Sequence, residues 1–181
     1  MTAGAAPAGD APTAAVSIRP MRWWDIEPVM VLERELFVED SWSAELFWAE
    51  LAEHDSRHYL VADADGGLAG YAGLLAYAGE GYVQTIAVAP PYQGCGIGAR
   101  LLTALMDEAR RVGVPSVGLE VRSDNERAQR LYRRFGFRPV GLRRGYYQPS
   151  GADAVVMFAR EVDGAAYSEL LGDVGERGVL S

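Results

Sequence analysis

Closely spaced glycines stand directly before a segment with a helical pattern, in the stretch YQGCGIGARLL from Tyr92 to Leu102. Glycine costs conformational entropy when it is ordered, but it lets the backbone adopt positive φ and approach another group closely. A helix that begins after such a loop offers unpaired N–H groups and the positive end of its dipole, which suit a phosphate. The stretch therefore predicts a phosphate-binding loop of one of three kinds: a dinucleotide loop, a triphosphate P-loop or a coenzyme A loop.

The residues around the loop separate these three classes. A P-loop requires a lysine, and the chain contains none. Gly94, Gly96 and Ala99 do match the dinucleotide pattern G-x-G-x-x-A, and Glu120 follows at about the expected distance of 20 residues. A dinucleotide fold, however, usually places this loop after its first strand and continues with several βαβ units. Here a hairpin pattern comes first, so the coenzyme A loop is favoured.

Composition limits the size and the setting of the protein. A chain of 181 residues with 49% hydrophobic content fits one compact domain. We predict a disordered tail over 1–15, a domain over 16–160 and an acidic, flexible C-terminal tail over 161–181. A net charge of −8 disfavours direct contact with nucleic acid or an anionic membrane, and favours a small-molecule or basic-peptide partner.

The cysteine content and the N-terminal sequence indicate a cytoplasmic protein. Cys95 is the one cysteine, which excludes an internal disulfide and a cysteine-based zinc cluster, and we expect no metal. The opening residues lack the basic and apolar regions of a secretory signal. No apolar run approaches the roughly 18 residues that a membrane-spanning helix needs.

Hydrophobic periodicity predicts the order of the helices and strands. A first strand, Val16–Pro20, precedes a helix whose stripe contains Ile26, Val29, Met30, Glu33 and Phe37, and Ser43 is the predicted cap of a second helix. HYLVAD and LAGYAGLLAY flank the turn signal Asp65-Gly66-Gly67, and GYVQTIAV follows. A helix from Ile97 to about Arg111 leads to the strand SVGLEVR, the helix NERAQRLYRRF, and the strands FRPVGLRR and AVVMFAR.

This order predicts an α/β (α+β) fold. Its sheet is mixed, mostly antiparallel and of about seven strands, with helices on both faces and one central βαβ crossover through the glycine loop. The crevice at the carboxyl ends of the parallel strands is the expected cofactor site, beside Val88 and Gly94.

Three segments together resemble the GNAT family of N-acetyltransferases, and within it the RimI branch, which acetylates the N-terminal alanine of a small-subunit ribosomal protein. They are TIAVAPPYQGCGIGARLL, LEVRSDNERAQRLYRRFGF and RRGYYQPSGADAVVM, and the resemblance spans about Ser17 to Arg160. It implies a GNAT fold, acetyl-CoA as cosubstrate, a protein N-terminus as acceptor, direct attack within a ternary complex, and a monomer or weak dimer.

The resemblance also implies a set of cofactor-binding residues. Backbone groups of an edge strand would pair with the pantetheine arm: Ile86, Ala87 and Val88. Successive N–H groups would wrap the pyrophosphate: Gly94, Cys95, Gly96, Ile97, Gly98 and Ala99. Asn125 matches a CoA-contacting asparagine, although an N-cap of the next helix is an equally simple role for it.

Two residues are the candidates for acid–base chemistry. In VGLEVR, strand alternation separates Val117, Leu119 and Val121 from Glu120. A carboxylate on a central strand breaks the apolar rule, which suggests either a general base or a structural ion pair with a nearby arginine, Arg122 or Arg143. Tyr132 is a core residue by its helical spacing, and the family match makes it the general acid. A backbone N–H near Val88 would hold the carbonyl oxygen.

Other features leave the acceptor open. Trp42 belongs either to the core or, with the tyrosines of RRGYYQ, to an acceptor groove. Cys95 could carry the acetyl group covalently, but no histidine is near it in sequence. The alternatives to N-terminal acetylation are transfer to a lysine side chain or a small-molecule amine, and a CoA-binding sensor or interaction module without turnover.

Overall fold

The computed structural model describes residues 15–64, 67–77 and 79–178. Across these residues, seven strands form one sheet in the order β1-β2-β3-β4-β5-β7-β6. The strands are β1 Ser17–Pro20, β2 Arg57–Ala64, β3 Gly67–Tyr77, β4 Glu80–Val88, β5 Ser116–Arg122, β6 Arg138–Tyr147 and β7 Ala152–Arg160. β4 and β5 are parallel, and every other neighbouring pair is antiparallel. The predicted mixed, mostly antiparallel sheet with one crossover is confirmed.

The helices begin and end largely where local signals place them. In the described part of the chain they are α1 Ile26–Leu36, α2 Ala44–Ala52, α3 Ile97–Val112, α4 Glu126–Arg134 and α5 Ala165–Gly178. The Ser43 hydroxyl accepts the Leu46 N–H at 3.2 Å and caps α2. Helix α3 ends at Gly113, whose φ of 83° is the left-handed conformation that glycine adopts at a helix C-terminus.

Helices cover both faces of the sheet because neighbouring strand residues point to opposite sides. On β2 and β3, Val61 and Tyr71 pack under α1 and α2. The residues that follow them, Ala62 and Ala72, belong to the core beneath α3, α4 and α5. The prediction of a sheet with helices on both sides is therefore confirmed.

The C-terminal segment differs from the prediction of a flexible tail over 161–181. Residues 165–178 form helix α5, and the Tyr167 hydroxyl donates to the Phe135 carbonyl oxygen at 2.7 Å. Tyr167, Leu171 and Val174 are buried in the core on the α3 face, because their spacing of four and three residues puts them on one side of a helix. The predicted tail over 1–15 and the hairpin turn fall mainly on 1–14 and 65–66, outside the described residues.

Strands β4 and β5 diverge after a short paired stretch. Their parallel pairing covers Gly81 with Val117 and Tyr82 with Gly118. A Cβ at Gly118 would lie 2.7 Å from the Phe158 ring and 2.9 Å from the Tyr82 ring, so glycine permits the close approach there. Farther along, the register with β3 shifts by one residue at Gln84, and such a bulge bends a strand. The carboxyl-terminal halves of β4 and β5 consequently separate and leave an opening in the sheet.

Candidate active site

A cavity of about 1000 Å³ occupies the opening between β4 and β5. Its walls come from the ends of both strands, the glycine loop, α4 and the segment after α1. Predicted site residues that line it are Ile86, Ala87, Val88, Gly94, Gly96, Ile97, Gly98, Ala99, Glu120, Asn125 and Tyr132. The structure thus brings together residues that lie far apart in sequence.

The glycine loop presents a row of backbone amides to this cavity. Gly94 and Gly96 have φ of 89° and 78°, in the left-handed region that suits glycine. The Arg100 N–H makes the first helical bond of α3, to the Gly96 carbonyl at 3.1 Å. The amides from Gly96 to Ala99 come before it and have no acceptor within the helix. This donor set fits an anionic pyrophosphate.

Cys95 and Gly98 differ from the other residues of the loop in what the structure shows for them. The Cys95 N–H donates to the Tyr92 carbonyl oxygen at 3.3 Å, and the Cys95 side chain is exposed, so this residue is a poor candidate for a phosphate contact. At Gly98 a Cβ would make ordinary contacts of 3.6 Å with Val88 and Leu131. An alanine at Gly98 is therefore compatible with the fold, and any obstruction would concern only a bound ligand.

Arginines on α4 make the same end of the cavity basic. Arg127, Arg130 and Arg134 lie at helical spacing and line the wall. Arg127 donates to the Gln93 side-chain oxygen at 3.3 Å, and the Gln93 amide nitrogen donates to the Val88 carbonyl oxygen at 3.1 Å. These bonds fasten the loop to the end of β4 and set positive charge beside the amides.

Strand β4 offers unpaired backbone groups along one side of the opening. Ile86, Ala87 and Val88 pair with β3 on their other side, while β5 has already diverged. In an antiparallel pair, alternate residues direct their N–H and C=O groups away from the partner strand. This edge can therefore pair with an extended ligand.

Asn125 begins α4 as its N-cap. Its side-chain oxygen accepts the Ala128 N–H at 3.0 Å, which confirms the capping role. Asn125 also lines the cavity, so a contact to the cofactor is compatible with the cap.

Glu120 lines the cavity from β5, and its neighbours Leu119 and Val121, which also border the cavity, are buried in the core. Its Oε1 lies 2.9 Å from Nη1 of Arg143, and its Oε2 accepts a hydrogen bond from the Tyr82 hydroxyl. Burial raises the pKa of the Glu120 carboxyl, and the partly opposing effect of Arg143 lowers it. Glu120 therefore forms the predicted ion pair with Arg143, and it also lines the cavity.

Tyr132 reaches the cavity from α4. Its ring packs against Phe137 with centroids 5.9 Å apart, so both the core role and the position at the site hold. Burial, and secondarily Tyr147, raise the pKa of the Tyr132 phenol well above its usual value. A phenol that holds its proton is suited to donate it to a stronger base that forms during a reaction.

The opposite wall comes from the end of β6 and the segment after α1. Trp42 packs on Phe47 with centroids 5.4 Å apart and also lines the cavity. Its place in the core is confirmed, and its part in an acceptor groove stays a prediction. Tyr147 lines the cavity too, and burial together with Asp40 raises its pKa to about 12. Tyr146 is largely exposed beside it.

Sequence reasoning missed two residues at this site. Tyr82, which bonds to Glu120, had no signal in the sequence because the bond depends on the pairing of β4 with β5. Glu33 lines the cavity and is buried. The sequence places this charged residue within the apolar stripe of α1, but the sequence analysis gives it no role.

None of the helices within 15–64, 67–77 and 79–178 combines the length and the apolar character that spanning a bilayer requires. Within the same residues, no group of three or more His, Cys, Asp and Glu side chains is arranged to hold a metal ion.

Comparison with known proteins identifies the family. Residues 19–137 match the model of the Acetyltransferase (GNAT) family. The chain belongs to this family. Membership confirms the predicted fold and the predicted class of enzyme, an N-acetyltransferase that uses acetyl-CoA.

The chain is similar to several named members of the family. It is 47% identical over 152 residues to the N-alpha-acetyltransferase RimI of Mycobacterium tuberculosis, covering 81% of this chain and 94% of that protein. It is 35% identical over 118 residues to the ribosomal protein bS18-alanine N-acetyltransferase of Escherichia coli, covering 64% of this chain and 78% of the relative. A crystal structure of the ribosomal-protein-S18-alanine N-acetyltransferase from Escherichia coli superposes with a TM-score of 0.74 at 30% identity, covering 81% of this chain and 94% of that one.

Proposed function

We propose that this enzyme transfers the acetyl group of acetyl-CoA to the N-terminal α-amine of a protein, the alanine terminus of a small-subunit ribosomal protein. The observation that carries the proposal is the single cavity that holds an amide cradle, a carboxyl and a protonated phenol together. The names of the relatives at 47% and 35% identity support the choice of acceptor.

The cofactor site follows from the donors in the cavity. The amides of Gly96 to Ala99 and the arginines of α4 would hold the pyrophosphate, and the free edge of β4 at Ile86, Ala87 and Val88 would pair with the pantetheine arm. Gly94 supplies the turn and Asn125 an adjacent polar contact. Bound acetyl-CoA supplies an activated acetyl thioester at the opening between the strands.

The chain's own residues supply the proton transfers. An α-amine attacks only when it is unprotonated, and its free pKa is about 7.7 to 8.0. Glu120 takes a proton from the nitrogen, directly or through a water, and because burial raises its pKa it is a stronger base than an ordinary carboxylate. Tyr132 donates to the departing sulfur. A backbone N–H near Val88 stabilises the carbonyl oxygen as it gains negative charge.

A peptide assay separates this proposal from its alternatives. The protein is incubated with acetyl-CoA and two matched peptides, one with a free N-terminal alanine and no lysine, the other with a blocked N-terminus and an internal lysine. Mass spectrometry then locates the acetyl group. Acetylated N-termini support the proposal, whereas acetylated lysines indicate a side-chain enzyme. CoA binding without product on either peptide indicates a sensor, an interaction module or an enzyme that acts on a small-molecule amine.

A Glu120→Gln variant is the control for enzymatic turnover. It should lose most of the N-terminal acetylation while it keeps its affinity for CoA. A cytoplasmic location, a monomeric or weakly dimeric state and the absence of direct nucleic-acid contact remain predictions, which cell fractionation, sedimentation and gel-shift measurements test.

A further inference from the structure

Glu33 on α1 is a buried carboxyl with one unpaired oxygen. Its residue is only 2% exposed. Oε1 accepts the Trp42 N–H at 2.8 Å, but Oε2 is buried and has no hydrogen-bond partner. Asp25, another buried acid, is satisfied by Arg19 at 2.7 Å. Since an unpartnered buried carboxylate oxygen is costly, its retention at a cavity wall points to a ligand that supplies the missing donor.

The surroundings of Glu33 favour a cationic donor. The groups that face it are the Trp42 N–H, Asp40 from the following loop and Tyr59 from β2. Burial and Asp40 raise the pKa of the Glu33 carboxyl to about 7, although the Trp42 N–H lowers it. The nearby Arg122 pairs instead with Glu39 at 3.2 Å and Asp124 at 2.9 Å.

Charge is distributed unequally around the cavity. Glu33 on α1 and Glu39 and Asp40 in the segment after it line one wall, where Arg122 offsets the charge of Glu39. Arg127 and Arg130 line the wall at α4. The basic wall suits the cofactor's phosphates and the acidic wall suits an amine. Glu33 shares the cavity with the proposed acid and base.

We propose that Glu33 binds the acceptor's α-amino group as an ammonium ion and accepts the first proton that this group loses. The inference rests on the proposed function. An N–H bond of the ammonium breaks, an O–H bond forms at Oε2, and the electron pair stays on nitrogen as the lone pair that attacks. This proton later leaves to solvent.

A second carboxyl is useful because an amine that arrives as ammonium must lose two protons to become an amide. Glu33 accepts the first before attack, and Glu120 accepts the second after the nitrogen has bonded to the acetyl carbon. Tyr132 returns one proton to the sulfur and is reprotonated from Glu120. One proton is therefore released overall, and one remains on the thiol.

The variant Glu33→Gln separates the ligand role from the structural role. Its amide oxygen can still accept the Trp42 N–H, so the loop contact is kept while the charge is removed. We expect the KM for an N-terminal alanine peptide to rise about tenfold or more, with the KM for acetyl-CoA within about twofold. The matched control is Glu27→Gln, an exposed position on the same helix, which should behave like the wild type.

Calorimetry supplies a readout that does not depend on turnover. In the presence of CoA, Glu33→Gln should weaken binding of the free-amine peptide but not of its N-acetylated counterpart. In the wild type, free-amine peptide affinity should fall as pH drops below about 7, where Glu33 is protonated, a test that remains available if the variant does not fold. The proposal would be overturned if a folded Glu33→Gln variant kept the wild-type KM and affinity for the peptide and the wild-type dependence of that affinity on pH. A wild type that acetylates no N-terminus would overturn the proposed function instead.

Discussion

Alanine substitutions at the two ends of α3 separate backbone strain from cofactor binding. Gly96 precedes the helix with φ of 78°, and Gly113 follows it with φ of 83°. A non-glycine residue in the left-handed region costs roughly 1–2 kcal/mol. About 0.4–1 kcal/mol of this cost is offset because alanine lowers the conformational entropy of the unfolded chain. We therefore expect Gly96→Ala and Gly113→Ala each to lose about 1 kcal/mol, a fall in Tm of about 2–4 °C for a chain of this size.

We expect Gly98→Ala to have the opposite effect on stability. A Cβ there makes ordinary contacts at 3.6 Å, and alanine within a helix is better than glycine by roughly 0.5–1 kcal/mol. Its methyl group nevertheless lies between Val88 and Leu131, which both line the cavity. The variant should be as stable as the wild type or more stable, but it should bind CoA more weakly.

Thermal unfolding and calorimetry with CoA measure the two effects. Loss of one charge-assisted contact corresponds to about a 10- to 100-fold weaker Kd, expected for Gly96→Ala and Gly98→Ala. Gly113→Ala should share the loss of stability and keep the wild-type Kd, since it lies at the far end of the helix. Unaltered CoA affinity in a folded Gly98→Ala variant would refute the amide cradle, and an unaltered Tm in Gly96→Ala would refute the strain argument.

Four further predictions follow from individual side chains. Tyr132→Phe should lower kcat by about 10²- to 10⁴-fold with the Kd for CoA retained; normal turnover would exclude it as the acid. The Glu33 carboxyl has a pKa of about 7 in the folded protein and near 4.5 in the unfolded chain. Burial of the charged carboxylate therefore lowers the free energy of unfolding at pH values above about 4.5 and does not lower it below that pH. Glu33→Gln should thus exceed the wild type in denaturant stability at pH 8 by up to about 3 kcal/mol, with the difference gone near pH 4. Leu171→Ala should cost about 2–4 kcal/mol of unfolding free energy and the exposed Glu169→Ala almost nothing; equal stabilities would mean that α5 is not docked. Cys95→Ala should keep kcat, whereas a near-complete loss with CoA still bound would indicate a covalent acetyl-cysteine.

Much of the fold could be predicted because its signals are local. Glycines at both ends of α3, the Asn125 cap and the alternation around Glu120 each act through neighbours in sequence, and the structure agrees with them. Family resemblance then supplied roles for Glu120 and Tyr132, which neither periodicity nor composition could assign.

Helix α5 was missed for a compositional reason. Its segment is rich in glycine and acidic residues, which favoured a flexible tail, although Tyr167, Leu171 and Val174 already had helical spacing. Their stripe is short, and whether it is buried depends on a complementary surface. The α3 face of the core provides that surface, and no rule applied to the tail alone could have found it.

The sequence alone determined where α1 to α4 and most strands begin, which residues alternate, and which loop can bring amides to a phosphate, because steric limits and periodicity act over a few residues. The tertiary structure decided how β4 and β5 diverge, that Tyr82 and Arg143 both reach Glu120, and that Glu33 keeps an unpaired oxygen at the cavity wall. These features join residues that are distant in sequence. They depend on strand register, on the bulge in β4 and on which partners remain after packing, and those are properties of the assembled sheet.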